Sequence, residues 1–73
     1  MKTLFFENET QFIKIEVEQS NNFYFKTIYY KNKKDKNFKL YLNCEGIHEG
    51  LKSLQNSINY FIKKHNLKEI KEL

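Results

Sequence analysis

The chain has 73 residues, 13 basic and 9 acidic side chains, a net charge of +4 and a single cysteine. A chain this short forms one domain at most and buries only about 60% of its unfolded surface, which leaves a marginal core. One cysteine excludes an internal disulfide, and with two histidines neither a metal site nor a cofactor is expected. The remaining staple for so small a core is a partner chain, so a homodimer is expected.

The opening MKTLFF begins like a secretory leader, but its apolar run ends at Glu7, too soon for one. KTLFFEN instead reads as a first, edge strand. No stretch approaches the roughly 20 apolar residues of a membrane span. A cytoplasmic location away from membranes, with Cys44 reduced, is the expectation.

Residues 11–19, QFIKIEVEQ, put Ile13, Ile15 and Val17 on one face and Lys14, Glu16 and Glu18 on the other. That period of two is a half-buried strand. SNN at 20–22 is a turn signal. FYFKTIYYK at 23–31 is aromatic and β-branched, as strands are. NKKDKN then closes a hairpin, and FKLYL at 38–42 alternates Phe38, Leu40 and Leu42 against Lys39 and Tyr41.

The period changes next. Ile47, Leu51, Leu54, Ile58, Phe61, Ile62 and His65 recur at steps of three and four, the stripe of a helix lying on an apolar surface. Asn43 reads as its N-cap, Glu45 suits its first turn, and Lys63 and Lys64 suit its last. The tail LKEIKEL, after a break near Asn66, either continues the helix or frays over 66–73. The fold class expected is α+β: a four-stranded antiparallel meander followed by one C-terminal helix, ββββα, as a single domain over 1–73, paired in a homodimer.

Gly46, Gly50, Ser53 and Ser57 share one flank of that helix, and Tyr60 continues it. Interior glycine costs about 1 kcal/mol relative to alanine. Either the helix starts loosely, or small residues make a seam for a second subunit. The second alternative assigns Gly50, Ser53, Ser57, Tyr60 and Phe61 to a dimer interface and predicts that Gly50→Leu breaks it.

If Ile13, Ile15, Val17, Phe38, Leu40 and Leu42 face the helix, their alternates face away. Taking Phe23, Phe25 and Thr27 as inward, the outer face carries Phe12, Tyr24, Tyr30 and Tyr41 between Lys14, Lys26 and Lys39. The phase of 23–31 stays open, because both its faces are aromatic and a one-residue slip swaps them. Rings stack on unpaired bases for about 1–3 kcal/mol each while ammonium groups follow the phosphates. The loop lysines Lys33, Lys34 and Lys36 extend the surface as a phosphate clamp.

Every basic residue is lysine. Lysine is a mobile point charge without arginine's planar fork, which suits phosphate attraction better than base-specific duplex readout. An AT-rich genome would give the same bias. Two plainer readings of the face also stand: a subunit contact, or the solvated side of an ordinary antiparallel sheet.

The run from Gln11 to Ile62, with SNNFYFKTI, FKLYL and LKSLQNSINYFI as its landmarks, resembles a PUR repeat, as in Pur-alpha and its short bacterial relatives. The resemblance covers about residues 11–65. It implies a ββββα half-unit that pairs with a second copy in a Whirly-like dimer and holds single-stranded DNA or RNA on its sheet face. Carried over by position, it implies contacts from Lys14, Tyr24, Lys26 and Lys39. The missing arginine, the short hairpin and the lone repeat depart from that pattern.

Catalysis finds little footing. There is no glycine-rich phosphate loop, since Gly46 and Gly50 are the only glycines. A Cys44/His48 pair lacks an orienting third group, and no small-molecule substrate is implied. The expected function is sequence-tolerant single-strand binding by a homodimer. The alternative is a protein-interaction module, such as a small phage or mobile-element inhibitor of a host protein.

Overall fold

The computed structural model describes residues 2–41 and 46–71. Strands β1 (Lys2–Glu7), β2 (Gln11–Ser20), β3 (Phe23–Asn32), β4 (Lys39–Leu40) and β5 (Gly46–Glu49) precede helix α1 (Leu51–Lys64), and β6 (Lys68–Ile70) follows it. They form one antiparallel sheet in the order β4-β3-β2-β1-β6, with β5 on the same edge of β3 as β4. The α+β class with one C-terminal helix is as expected; the sheet is larger than a four-stranded meander.

Two local features set the strand connections. Asn8 Oδ1 accepts from the backbone N–H of Thr10 at 3.0 Å and of Gln11 at 2.9 Å, closing the β1–β2 turn. Between β2 and β3, Ser20 pairs with Phe23, so the loop is only Asn21 and Asn22. Asn21 has φ +56, a left-handed conformation that asparagine tolerates better than most residues.

The helix begins seven residues later than Asn43 implies. Gly50, at φ +98 and ψ 156, is its N-cap, and Gly46–Glu49 is a strand instead of the first helical turn. Ile47 therefore leaves the helical stripe and is 67% exposed. Asn43, Cys44 and Glu45 lie outside the described residues, as does Leu42. Nothing crowds a Cβ built at Gly50, but its backbone conformation is one that side chains rarely adopt. Gly50→Leu is thus expected to cost about 1–3 kcal/mol whatever the oligomeric state. Thermal melting of a dilute sample checks this.

The helix ends on a Schellman motif. Asn66 has φ +52, its N–H bonds the Lys63 carbonyl, and the Leu67 N–H bonds the Ile62 carbonyl at 3.0 Å. This turn ends the helix and aims Leu67 into the core. Residues 68–70 then run back along β1 as an added strand. Within the stretch expected to extend the helix or fray, residues 68–70 belong to the sheet, so β1 is not its edge, and residues 72–73 lie outside the described residues.

The core joins Phe6, Ile13, Ile15 and Ile28 from the sheet to Leu54, Ile58 and Phe61 from the helix, with Leu67 beneath. Ile13, Ile15 and Ile28 are essentially inaccessible to water. Fully burying one such side chain stabilises the fold by about 1.5–3 kcal/mol. One helix covers one face of the sheet, and the other face has no layer over it among the described residues. No described helix is long and apolar enough to cross a membrane.

Candidate nucleic-acid interface

Directly opposed residues in antiparallel strands share a face. Ile15 is opposed to Ile28 and both are in the core, so the even-numbered residues of β3 face the helix. Tyr24, Lys26 and Tyr30 therefore lie on the covered side, not the outer one. Tyr41 joins them through a backbone bond from its N–H to the Ile28 carbonyl, 2.9 Å. Its ring meets Tyr30 at 5.6 Å, Phe61 at 5.5 Å and His65 at 5.9 Å, edge-on in each case. Lys39 is opposed to Tyr30, exposed at the sheet edge. Of the four contacts the PUR resemblance implies, Lys14 alone is on the open face.

Lys26 is only 8% exposed and donates to Ser57 Oγ, while His48 Nδ1 lies 3.1 Å from Ser53 Oγ. The small residues on this helix flank thus make room for two polar side chains of the chain's own sheet. Phe61 is buried in the core and Ser57 is half-buried, while Ser53 and Tyr60 are exposed, Tyr60 at 69%. Ser57 and Phe61 are thus engaged within the chain's own fold, by Lys26 and by the core.

Burial, and then the Lys26 charge, hold the His48 imidazole below its ordinary pKa. Its Nε2 is buried without a partner among the described residues. A depressed histidine means that the unfolded chain takes up its proton first, so the stability His48 confers is present above about pH 6.5 and lost as pH falls through the folded value. We expect the melting temperature to fall between pH 7.5 and 5.5, with a shallower fall in His48→Gln. An equal fall in both proteins would remove His48 from this account.

The open face is built from the odd-numbered residues of β3 and their partners. Phe12 is opposed to Lys31, Lys14 to Tyr29, and Phe5 to Lys14. Aromatic and ammonium groups therefore alternate both along and across the strands. Lys14 Nζ sits 4.7 Å from the Tyr29 ring centre and 4.9 Å from that of Phe38. Lys31 Nζ lies 5.6 Å from Phe12 and 5.2 Å from Phe38, and Lys33 Nζ lies 5.3 Å from Phe12. All are within the reach of a cation–π attraction. The rings are half-buried, so each keeps accessible surface.

Two ion pairs border this patch, Lys14 with Glu16 at 4.0 Å and Lys33 with Glu7 at 3.9 Å. Both are long and partly exposed, and such pairs contribute about 0–1 kcal/mol, so they do not immobilise the lysines. Lys33, Lys34 and Lys36 lie exposed in the β3–β4 loop. Towards the other end of β3 the character changes. Glu18 is opposed to Phe25, Phe25 to Ile47 and Phe23 to Glu49. Phe23 and Phe25 are 44% and 39% exposed.

Of the residues expected from the sequence, the structure brings Phe12, Lys14 and Lys33 together on the open face. Sequence reasoning missed Phe5, Tyr29, Lys31 and Phe38 as members of it. Among the described residues no group of three or more His, Cys, Asp or Glu is placed to hold a metal ion. Cys44, and with it the Cys44/His48 pair, lies outside the described residues. No protein-family model matches the chain, and no curated protein and no solved structure matches it either.

Proposed function

We propose that the chain binds single-stranded nucleic acid on the open face of its sheet, without base-specific readout. The observation that carries this reading is the alternation of Phe12, Tyr29 and Phe38 with Lys14, Lys31 and Lys33, each ammonium within 6 Å of a ring. Unpaired bases stack on such rings, and the ammonium groups between them stand where the intervening phosphates run. A duplex keeps its base faces stacked internally and offers this surface only its backbone.

Titration of labelled oligo-dT and of a duplex against rising salt tests the reading. Three lysine–phosphate contacts give a slope of about −2 in log K against log salt for single strands. Tighter binding of the single strand with that slope is the expected result. Equal binding of both forms sinks the proposal. Retention of one host protein after nuclease treatment would favour the protein-interaction alternative instead.

Homodimerisation enters this reading through the opposite flank of the helix from the one expected. A groove of about 820 Å³ separates α1 from the β1 side of the sheet, and Leu51, Gln55, Ile58 and Ile62 line it at steps of four, three and four. That is the spacing of a two-helix seam. Lys2 and Glu69 also line this groove, on strands β1 and β6. In the proposed dimer a second copy seats its helix in this groove, where Lys2 and Glu69 offer it groups of both charges. Sedimentation of Ile62→Glu beside the parent chain tests this arrangement; a parent that stays monomeric at high concentration rules it out.

A further inference from the structure

The open face has two poles, and their chemistry differs. At one, Phe5 and Tyr29 share a cross-strand row with Lys14 between them, Phe12 lies in the next row opposite Lys31, and Phe38, just before β4, is within reach of both lysines. At the other, Glu18 and Glu49 flank Phe23, Phe25 and Ile47. Between the poles the cross-strand row Thr3, Glu16 and Thr27 carries no ring, so a strand running the length of β3 would have to bridge a gap in the stacking surface. Charge opposes that path as well. Phosphates attracted by Lys14, Lys31 and Lys33 are repelled by Glu16, Glu18 and Glu49, which no described ion pair neutralises apart from the long Lys14–Glu16 contact.

We infer that the bound strand crosses the sheet from β1 to β4, over two staggered rows of rings, and that the glutamate pole bars it from turning along β3, which limits contact to three or four nucleotides. This rests on the single-strand reading proposed above and specifies its ligand. Strands lie about 4.8 Å apart, so four of them span about 14 Å. Stacked nucleotides advance about 3.4 Å each, which places about four in that span when stacked and fewer when side-chain rings interleave with the bases. The limit is electrostatic as well as geometric, so it belongs to the acidic residues and can be moved by changing them.

Anisotropy titration of oligo-dT of two, three, four, six and ten nucleotides tests the inference, with the parent chain and with a Glu18→Lys/Glu49→Lys variant. Both side chains are exposed and outside the ring rows, so the variant should fold as the parent does. For the parent, affinity is expected to rise to about four nucleotides and thereafter only by the number of overlapping registers. For the variant, affinity for four nucleotides is expected to change less than threefold, while that for ten rises tenfold or more. A parent whose affinity climbs steadily to ten nucleotides overturns the crossing path and leaves single-strand binding standing. A variant identical to the parent at ten nucleotides overturns the acidic limit. Failure of every length to bind removes both the path and the reading beneath it.

Discussion

Replacing Phe12 and Tyr29 together by alanine is expected to weaken single-strand binding by about 30-fold or more. Each ring stacked on a base contributes about 1–3 kcal/mol, so losing two removes at least about 2 kcal/mol. At 1.4 kcal/mol per factor of ten, that is about 30-fold. Both rings lie on the face without a covering layer and outside the buried core, so the double variant should keep most of its stability. The opposite behaviour is expected of Tyr41→Ala. Its ring packs against Tyr30, Phe61 and His65, so the change lowers the melting temperature while the affinity of the folded protein stays within about threefold. Anisotropy titration paired with thermal melting separates the two classes. A loss of affinity under threefold in Phe12→Ala/Tyr29→Ala would contradict the assignment of the open face.

Ile15→Ala is expected to bring the fold close to collapse. Ile15 is fully buried at the centre of the sheet, between Leu4 on β1 and Ile28 on β3. Truncating such a side chain costs about 2–5 kcal/mol through lost burial and the cavity left behind. A domain of this size has about 4–11 kcal/mol of stability in total, at 0.05–0.15 kcal/mol per residue. The melting temperature is therefore expected to drop by at least about 10 °C. Ile47→Ala, with its side chain 67% exposed, is expected to fall within about 0.5 kcal/mol of the parent. Urea denaturation of the two variants side by side checks the contrast.

The α+β class, the long β2–β3 hairpin and the last three turns of the helix were legible because period and turn residues agree there. The phase of β3 was not, and one residue explains why. Reading SNN as a three-residue loop opposes Gln19 to Phe23, so Val17 meets Phe25 and the tyrosines and Lys26 turn outward. The actual loop is Asn21–Asn22, Ser20 meets Phe23, and Val17 meets Lys26. Because side chains alternate with a period of two, that single residue moves the whole strand to its other face. The preference of two-residue hairpin loops for asparagine was the available signal.

Other errors have similarly local causes. Ile47 fits the helical stripe by spacing, but Gly50 at φ +98 interrupts the chain and lets residues 46–49 add to the β3 edge. The LKEIKEL tail has mixed polarity that fits either helix or strand, and only the left-handed Asn66 and the burial of Leu67 decide between them. For the candidate site the sequence conveyed the chemistry, alternating lysine and aromatic side chains, better than the membership. Tyr29, Lys31 and Phe38 were all within the lysine-rich stretch from 29 to 41, yet their shared face depends on register and on a strand, β4, only two residues long.

The most direct measurement is the response of side-chain resonances to oligo-dT in solution. Signals from Phe12, Tyr29 and Phe38 should shift in proportion to saturation, with the Lys14 and Lys31 ammonium-bearing methylenes. Signals from Tyr24, Tyr30 and Tyr41, beneath the helix, should stay in place. Shifts confined to that second set, or none at saturating ligand, would contradict the account.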